Sequence, residues 1–316
     1  MQIRPERDGR EPPDLINASV HRGRRWSGDF LFEFAFFFLV PSSLHTHSPP
    51  KILPMIYQVT SHGRALPLCW KTTRKSQLKT RRTDIELGLV EAMDGWLPPN
   101  TRVVLLADRG FGYQELYDFL GTLGWDYVIR FRQDIYVESE QGERRKASAW
   151  VANNGRARML PRARVTADRT QVPAVVTVKR AGMKEAWCLA TSLCDESSSR
   201  VVTLYGRRFT IEETFRDTKD LHFGMGLRAT HIKGTARRDR MLMLVAIAHT
   251  LLTLLGAASE ASGLDKYLKA NTSKKRTLSL YRQGLYWYAC IQDHAGRMAR
   301  SADGCLRVYF TARKIV

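Results

Sequence analysis

The sequence predicts a mixed α/β fold, in which a sheet of short apolar strands alternates with helices and is followed by a β-rich insertion and a helical C-terminal part. Three observations lead there. The continuous apolar runs Val103–Ala107 and Tyr127–Phe131 have strand length and are separated by a helix-length segment, Gly112–Leu123. Short alternating runs broken by Gly, Pro and charged turns fill residues 133–199, among them Ile135–Val137, Val175–Val178 and Trp187–Ala190. Beyond them apolar residues recur at helical spacing, from about Val201 to Leu221 and again from Asp239 to Gly256.

The elements follow in chain order. Residues 1–29 are rich in Arg, Gly, Pro and Asp and have no strand or helix period. Phe30–Val40 then packs six Phe into eleven residues, with Glu33 inside the run, and a Ser-, His- and Pro-containing stretch follows it. Arginines at 22, 24 and 25 lend this run a signal-peptide look, but Glu33 and the lack of a small-residue cleavage site argue against one. Residues 1–54 are therefore expected to be an irregular segment and not a native domain.

From Met55 the chain is orderly. Met55–Thr60 and Ala65–Lys71 are joined by Ser-His-Gly-Arg, which predicts a hairpin. Thr83–Glu86 reads as a capping box opening a helix that Pro98 and Pro99 end. Residues 55–132 form the first part of the core, 133–199 the insertion, and 200–262 complete the core. The Asp239–Gly256 helix is apolar nearly all round and is expected to be buried. Residues 263–316, with eleven Lys and Arg against three acids, are expected to be a basic tail.

Composition narrows the function. Fifty Lys and Arg against 31 acids give a net charge of +19, which favours a polyanionic partner through counterion release. Five cysteines without a C-x-x-C pair argue against a disulfide scaffold or a zinc ribbon, and so for the cytoplasm. The apolar stretches are expected to be too short to span a bilayer.

Two places carry chemistry. Asp108 ends an apolar strand, where ligand groups gather in open α/β sheets and where a carboxylate suits a hard divalent cation. The plainer reading is a helix-preceding cap with Gly110 and Gly112 in a tight turn. Tyr205, Arg208, Glu212, Phe215 and Lys219 are spaced to share one helix face, a lone carboxylate between two cations. Its plainer reading is a solvated face with an Arg208–Glu212 ion pair.

Leu105–Gly112 (Leu-Leu-Ala-Asp-Arg-Gly-Phe-Gly), Tyr127–Arg132 (Tyr-Val-Ile-Arg-Phe-Arg) and Tyr205–Lys219 together resemble the DDE transposases of bacterial insertion sequences, IS-four group. That group's pattern of Tyr, two residues, Arg, three residues, Glu, six residues and Lys fits Tyr205, Arg208, Glu212 and Lys219. The resemblance covers about Met55 to Ile291. It implies a ribonuclease-H-like sheet and a reaction in which three carboxylates hold two Mg²⁺ or Mn²⁺ ions that cut and join phosphodiesters. Asp108 and Glu212 would be the second and third carboxylates and metal ligands. Tyr205, Arg208 and Lys219 would grip double-stranded DNA at the transposon terminal repeats. Target DNA and a homodimer in synapsis are the other implied partners, with no membrane. The first Asp belongs on a strand just before the hairpin, yet Leu44–Met55 carries no acid and has prolines at 49, 50 and 54. A truncated or frame-shifted copy would explain this and would be inactive. A non-catalytic DNA-binding remnant and another ribonuclease-H-like nuclease, such as a resolvase, are the rival readings.

Overall fold

The structure is a computed structural model, described at residues 31–39, 51–59, 63–99, 101–219, 224–226, 230, 232, 234–270 and 272–290. Strands β1 (Leu31–Leu39), β2 (Lys51–Val59), β3 (Ala65–Trp70) and β4 (Thr73–Arg74) lead into helix α1 (Lys75–Trp96). Then come β5 (Arg102–Ala107), α2 (Gln114–Thr122) and β6 (Asp126–Phe131). The insertion supplies β7 (Tyr136–Glu138), β8 (Arg144–Lys146), β9 (Arg158–Val165), β10 (Thr170–Val178) and β11 (Trp187–Thr191). Helices α3 (Ser198–Arg207), α4 (Thr210–Lys219), α5 (Thr235–Ala261) and α6 (Leu280–Ala289) follow.

The described strands form one eleven-stranded sheet in the order β3-β2-β1-β5-β6-β11-β10-β9-β7-β8, with β4 on β2. β1, β5 and β6 run parallel, and the flanking pairs are antiparallel. This is the mixed sheet of a ribonuclease-H-like fold. The insertion does not stand apart, because β11 pairs with β6 and carries the core sheet onward.

β5 shows how the sequence makes the layers. Val103, Leu105 and Ala107 pack with α1 and α2 residues such as Val90, Met93, Leu116 and Leu120. Val104 and Leu106 pack on the other side with Val201, Tyr205, Ile211 and Phe215 of α3 and α4. With both faces covered, β5 reads as a continuous apolar run. Strand alternation puts Asp108, the next residue after Ala107, in step with Val104 and Leu106, toward α3 and α4.

Several expectations are corrected. Part of residues 1–54 is structured, since Leu31–Leu39 is an interior strand and Lys51–Pro54 opens β2. An interior strand need not alternate, and an aromatic run suits a pleated sheet, so the Phe-rich sequence fits here. Pro54 lies inside β2 opposite Phe38, where it removes one ladder donor without ending the strand. Residues 1–30 and 40–50 lie outside the described residues.

α1 begins eight residues before Thr83 and kinks at Arg81 (φ −128°, ψ 25°), and the Glu86 carboxylate expected to close a capping box with Thr83 is bonded to Arg82 and Tyr113 instead. The single helix expected over Val201–Leu221 is two, broken at Arg208 and Phe209. The amides of Arg208, Phe209, Ile211 and Glu212 bond three residues back, tightening the chain there.

α5 is only partly buried, with Leu244 and Leu251 58% and 61% exposed. Its 27 residues include a window of mean hydropathy 2.1, long and apolar enough to cross a membrane, so the expectation from length fails. Its other side packs on α6, within what was expected to be a tail. The crossing is close: a Cβ on Gly256 would lie 1.9 Å from the Leu280 carbonyl oxygen, and one on Gly284 1.7 Å from that of Leu252. Here His249 stacks on Tyr281 with centroids 4.5 Å apart and planes at 9°. Residues 291–316 lie outside the described residues.

Candidate DNA-binding and catalytic site

Asp108 follows the last residue of β5 with extended backbone, and its Oδ1 accepts a hydrogen bond from the Arg109 amide at 2.7 Å. The carboxylate is half-buried and heads a single 3₁₀ turn, Arg109–Phe111. So the plainer capping role is present, and the site role must coexist with it. α1 clasps this turn from behind. Arg82 donates to the Gly110 carbonyl and, through Nε at 2.6 Å, to Glu86. The Tyr113 hydroxyl donates to the other Glu86 oxygen at 2.5 Å. Burial pushes the fully enclosed Glu86 carboxyl upward, and its bonds from Tyr113 and Arg82 pull it back.

Arg130 is the neighbour that sequence reading missed. β5 and β6 are in register at Ala107 and Ile129, so one step further Asp108 and Arg130 stand level at the carboxyl ends of two parallel strands. Their spacing in sequence gave no sign of this, which only the parallel pairing creates.

The joint between α3 and α4 faces the same side. Tyr205 and Arg208 are buried, Glu212 is exposed and Lys219 is half-buried. Arg208 lies in an aromatic box, its guanidinium 4.8 Å from the Phe209 ring centre and 5.6 Å from that of Tyr205. Trp187 from β11 packs on both rings, at 4.9 Å from Tyr205 and 5.6 Å from Phe209. Arg208 Nη2 is 3.8 Å from Glu212 Oε1, while its Nε and Nη1 are buried without a hydrogen-bond partner. Burial drives the Tyr205 hydroxyl upward; the Arg208 charge lowers it, Asp108 raises it and Arg130 lowers it. Both carboxylates thus border the Tyr205–Arg208 pair. The shared face is incomplete, because Phe215 turns into the core on Tyr57 (5.4 Å, edge-on). Lys219 Nζ sits 5.1 Å over that same Phe215 ring.

α4 is bolted to the hairpin. The Ala65 amide donates to Thr214 Oγ1 at 2.8 Å, and that hydroxyl lies 2.9 Å from the Ala65 carbonyl. Arg64 Nε donates to the buried Asp217 at 2.5 Å. Arg64, Asp217, Trp187 and Phe209 are structural partners that no spacing rule singled out.

The described residues do not by themselves make a two-ion site. Among the described residues no group of three or more His, Cys, Asp or Glu could hold a metal ion. The β1–β5 ladder pairs Ala35 with Leu106, so two residues further on Phe37 stands level with Asp108. The one acid in β1, Glu33, pairs with Val104, four residues or about 13 Å away along the strand.

A family model described as a transposase DDE domain matches residues 79–251, from α1 through most of α5. No curated protein matches the chain.

Proposed function

Because this chain belongs to the transposase DDE-domain family, we propose that it is an IS-four-type transposase whose α3–α4 joint grips the phosphates of double-stranded transposon-end DNA, without strand cleavage of its own. The observation that carries this reading is Arg208. A buried guanidinium with two unpartnered nitrogens costs roughly 1–3 kcal/mol per unsatisfied donor. The aromatic box holds those donors in place, which suits a phosphate that completes them on binding. Lys219 adds a second cation along α4, and Tyr205 positions Arg208 through its ring.

In the family two Mg²⁺ or Mn²⁺ ions supply the chemistry, polarising the phosphodiester and activating the attacking hydroxyl. Asp108 and Glu212 would hold such ions, but two cations need a bridging carboxylate to offset their repulsion, and Phe37 stands where it would be. Residues 31–39 supply β1 and Lys51–Ile52 open β2, so the proposed damage to this copy is a lost acid in a retained strand and not a loss of the strand itself. The rival nuclease reading lacks a reason for the Tyr, Arg, Glu and Lys spacing. The proposal extends to a cytoplasmic, nucleoid-associated protein, acting as a homodimer when two ends are synapsed.

The test is a pair of assays on a matched terminal-repeat duplex. Binding should favour that duplex over random sequence, and Mg²⁺ or Mn²⁺ should produce no nicking. Metal-dependent nicking that Asp29→Ala or Glu33→Ala abolishes would show that an N-terminal acid completes the site.

A further inference from the structure

We infer a second phosphate seat, beside Asp108 and gated from within: Glu185 occupies, in the DNA-free chain, the place that a DNA backbone phosphate takes on binding. The inference rests on the DNA-binding reading above but concerns different residues. A cleft of about 310 Å³ opens at the carboxyl ends of β5 and β6, lined by Arg109, Arg130, Arg132, Asp134 and Glu185. One oxygen of Glu185 bridges two guanidinia, with Oε2 2.8 Å from Arg130 Nη2 and 3.5 Å from Arg109 Nη1. An oxyanion between two arginine forks is how proteins hold phosphate.

Three further observations separate this from an ordinary surface ion pair. Arg130 is mostly enclosed, its side chain 15% exposed, and its Nε is buried without a partner, so Glu185 leaves the guanidinium unsatisfied. Arg132, at the exposed rim, has no ion-pair partner among the described residues. Glu185 itself sits on the turn between β10 and β11, where Lys179, Arg180 and Lys184 are its charged neighbours and it is the one acid. That turn passes through Gly182 at φ +82° and is closed by the Met183 amide on the Arg180 carbonyl. An acid on an otherwise basic turn opposes DNA binding unless it can give up its place. Its 48% exposure leaves it room to move toward water. Seated, it leaves the cleft three arginines against two carboxylates; displaced, it leaves them against Asp134 alone.

The seat is read by fluorescence anisotropy of the full chain with labelled duplex across a salt series. Glu185→Gln keeps the shape but gives up the charge, and should bind duplex about three- to tenfold more tightly, with a log–log salt slope steeper by about one. Adding Arg132→Ala to Glu185→Gln should remove most of that gain, and thermal unfolding should show both variants folded. Unchanged or weaker binding by Glu185→Gln overturns the gate. If Arg208→Ala still lowers end binding in that case, only this inference falls. If wild type and Glu185→Gln both fail to bind duplex, the DNA-binding reading falls with it. Inorganic phosphate provides the last arm: tighter phosphate binding by Glu185→Gln with unaltered duplex affinity would assign the cleft to a free anion instead of DNA.

Discussion

Arg208 and Glu212 approach to 3.8 Å, yet the first side chain is 3% exposed and the second 53%. The contact is too long for a hydrogen bond and leaves two nitrogens of the buried partner unsatisfied. An ion pair formed for stability would be arranged the other way, with the buried charge fully bonded. Arg208 is therefore held by rings, with Glu212 touching its outer edge.

Arg208→Ala should weaken binding to a terminal-repeat duplex by about ten- to a hundredfold, the loss expected for one charge-assisted donor set of about 1.5–3 kcal/mol. Random duplex should lose less. Arg208→Lys should restore only part of the loss, since an ammonium lacks the planar fork. Equal losses on both duplexes would make Arg208 a generic basic residue.

The Arg82–Glu86–Tyr113 clasp should matter for stability before it matters for DNA. Glu86→Ala leaves a hole and strips a buried network, at about 3 kcal/mol. Tyr113→Phe removes one bond, at about 1 kcal/mol. Denaturant unfolding measures both. A cost for Glu86→Ala no larger than for Tyr113→Phe would show that Arg82 holds the Asp108 turn without Glu86.

The sheet was legible where the chain obeys simple periods: the hairpin, β5, β6, the β-rich insertion and the helix N-terminal to Pro98. β1 was not, because a run of Phe without alternation carries no face information, and its context of Arg, Pro and Ser argued against any element. The helix break at Arg208 was invisible because Tyr-Gly-Arg-Arg-Phe contains no proline and one glycine. Of the proposed site, spacing drew out Tyr205, Arg208, Glu212 and Lys219 and the strand end drew out Asp108, but only the resemblance gave these residues roles. Arg130, Trp187 and Glu185 were not legible, since strand register and a β-turn bring them in from distant sequence.

The α5–α6 crossing should be intolerant of a single methyl. At Gly256 and Gly284 a Cβ would meet backbone carbonyl groups, which cannot rotate away as a side chain would. Either Gly→Ala change should cost about 1–3 kcal/mol or more. Gly88→Ala in α1 meets nothing within 4 Å and should stabilise by about 0.5–1 kcal/mol through helix propensity. Matching thermal shifts for the three variants would refute the close packing.

His249 should make the protein acid-sensitive. Burial, and then the nearby Arg64 charge, lower its pKa from 6.5 to about 4. Between these values the unfolded chain binds a proton that the folded chain does not, so stability rises with pH. Its contribution is complete above pH 6.5, is lost as pH falls toward 4, and amounts to about 3 kcal/mol at most. His249→Phe keeps the ring against Tyr281 and removes the titration. The stability difference between pH 7.5 and pH 5 should then shrink. The buried carboxyls Asp217 and Glu86, both shifted upward, act in the opposite direction but are common to both chains. An unchanged difference would mean that His249 titrates normally.

Phe37 gives the sharpest test of why this chain should not cleave DNA. Two Mg²⁺ ions about 3.5–4 Å apart repel strongly and are held only when a carboxylate bridges them. Asp108 stands at the end of β5 and Glu212 beyond the Arg208 contact, and the place level with Asp108 on the adjacent parallel strand is Phe37. Calorimetric titration of the wild-type chain with Mn²⁺ should therefore show at most weak binding. Phe37→Asp should raise Mn²⁺ affinity, and Asp108→Asn should cancel the gain. Phe36→Asp, one residue out of register, serves as the control, because successive strand residues serve opposite faces. All three variants need a thermal unfolding check, since a charge placed in an interior strand costs stability unless a cation neutralises it. Mn²⁺ should accordingly raise the melting temperature of Phe37→Asp and not that of Phe36→Asp. If both variants respond alike, the β1–β5 register does not place residue 37 beside Asp108, and Phe37 does not account for the proposed absence of cleavage.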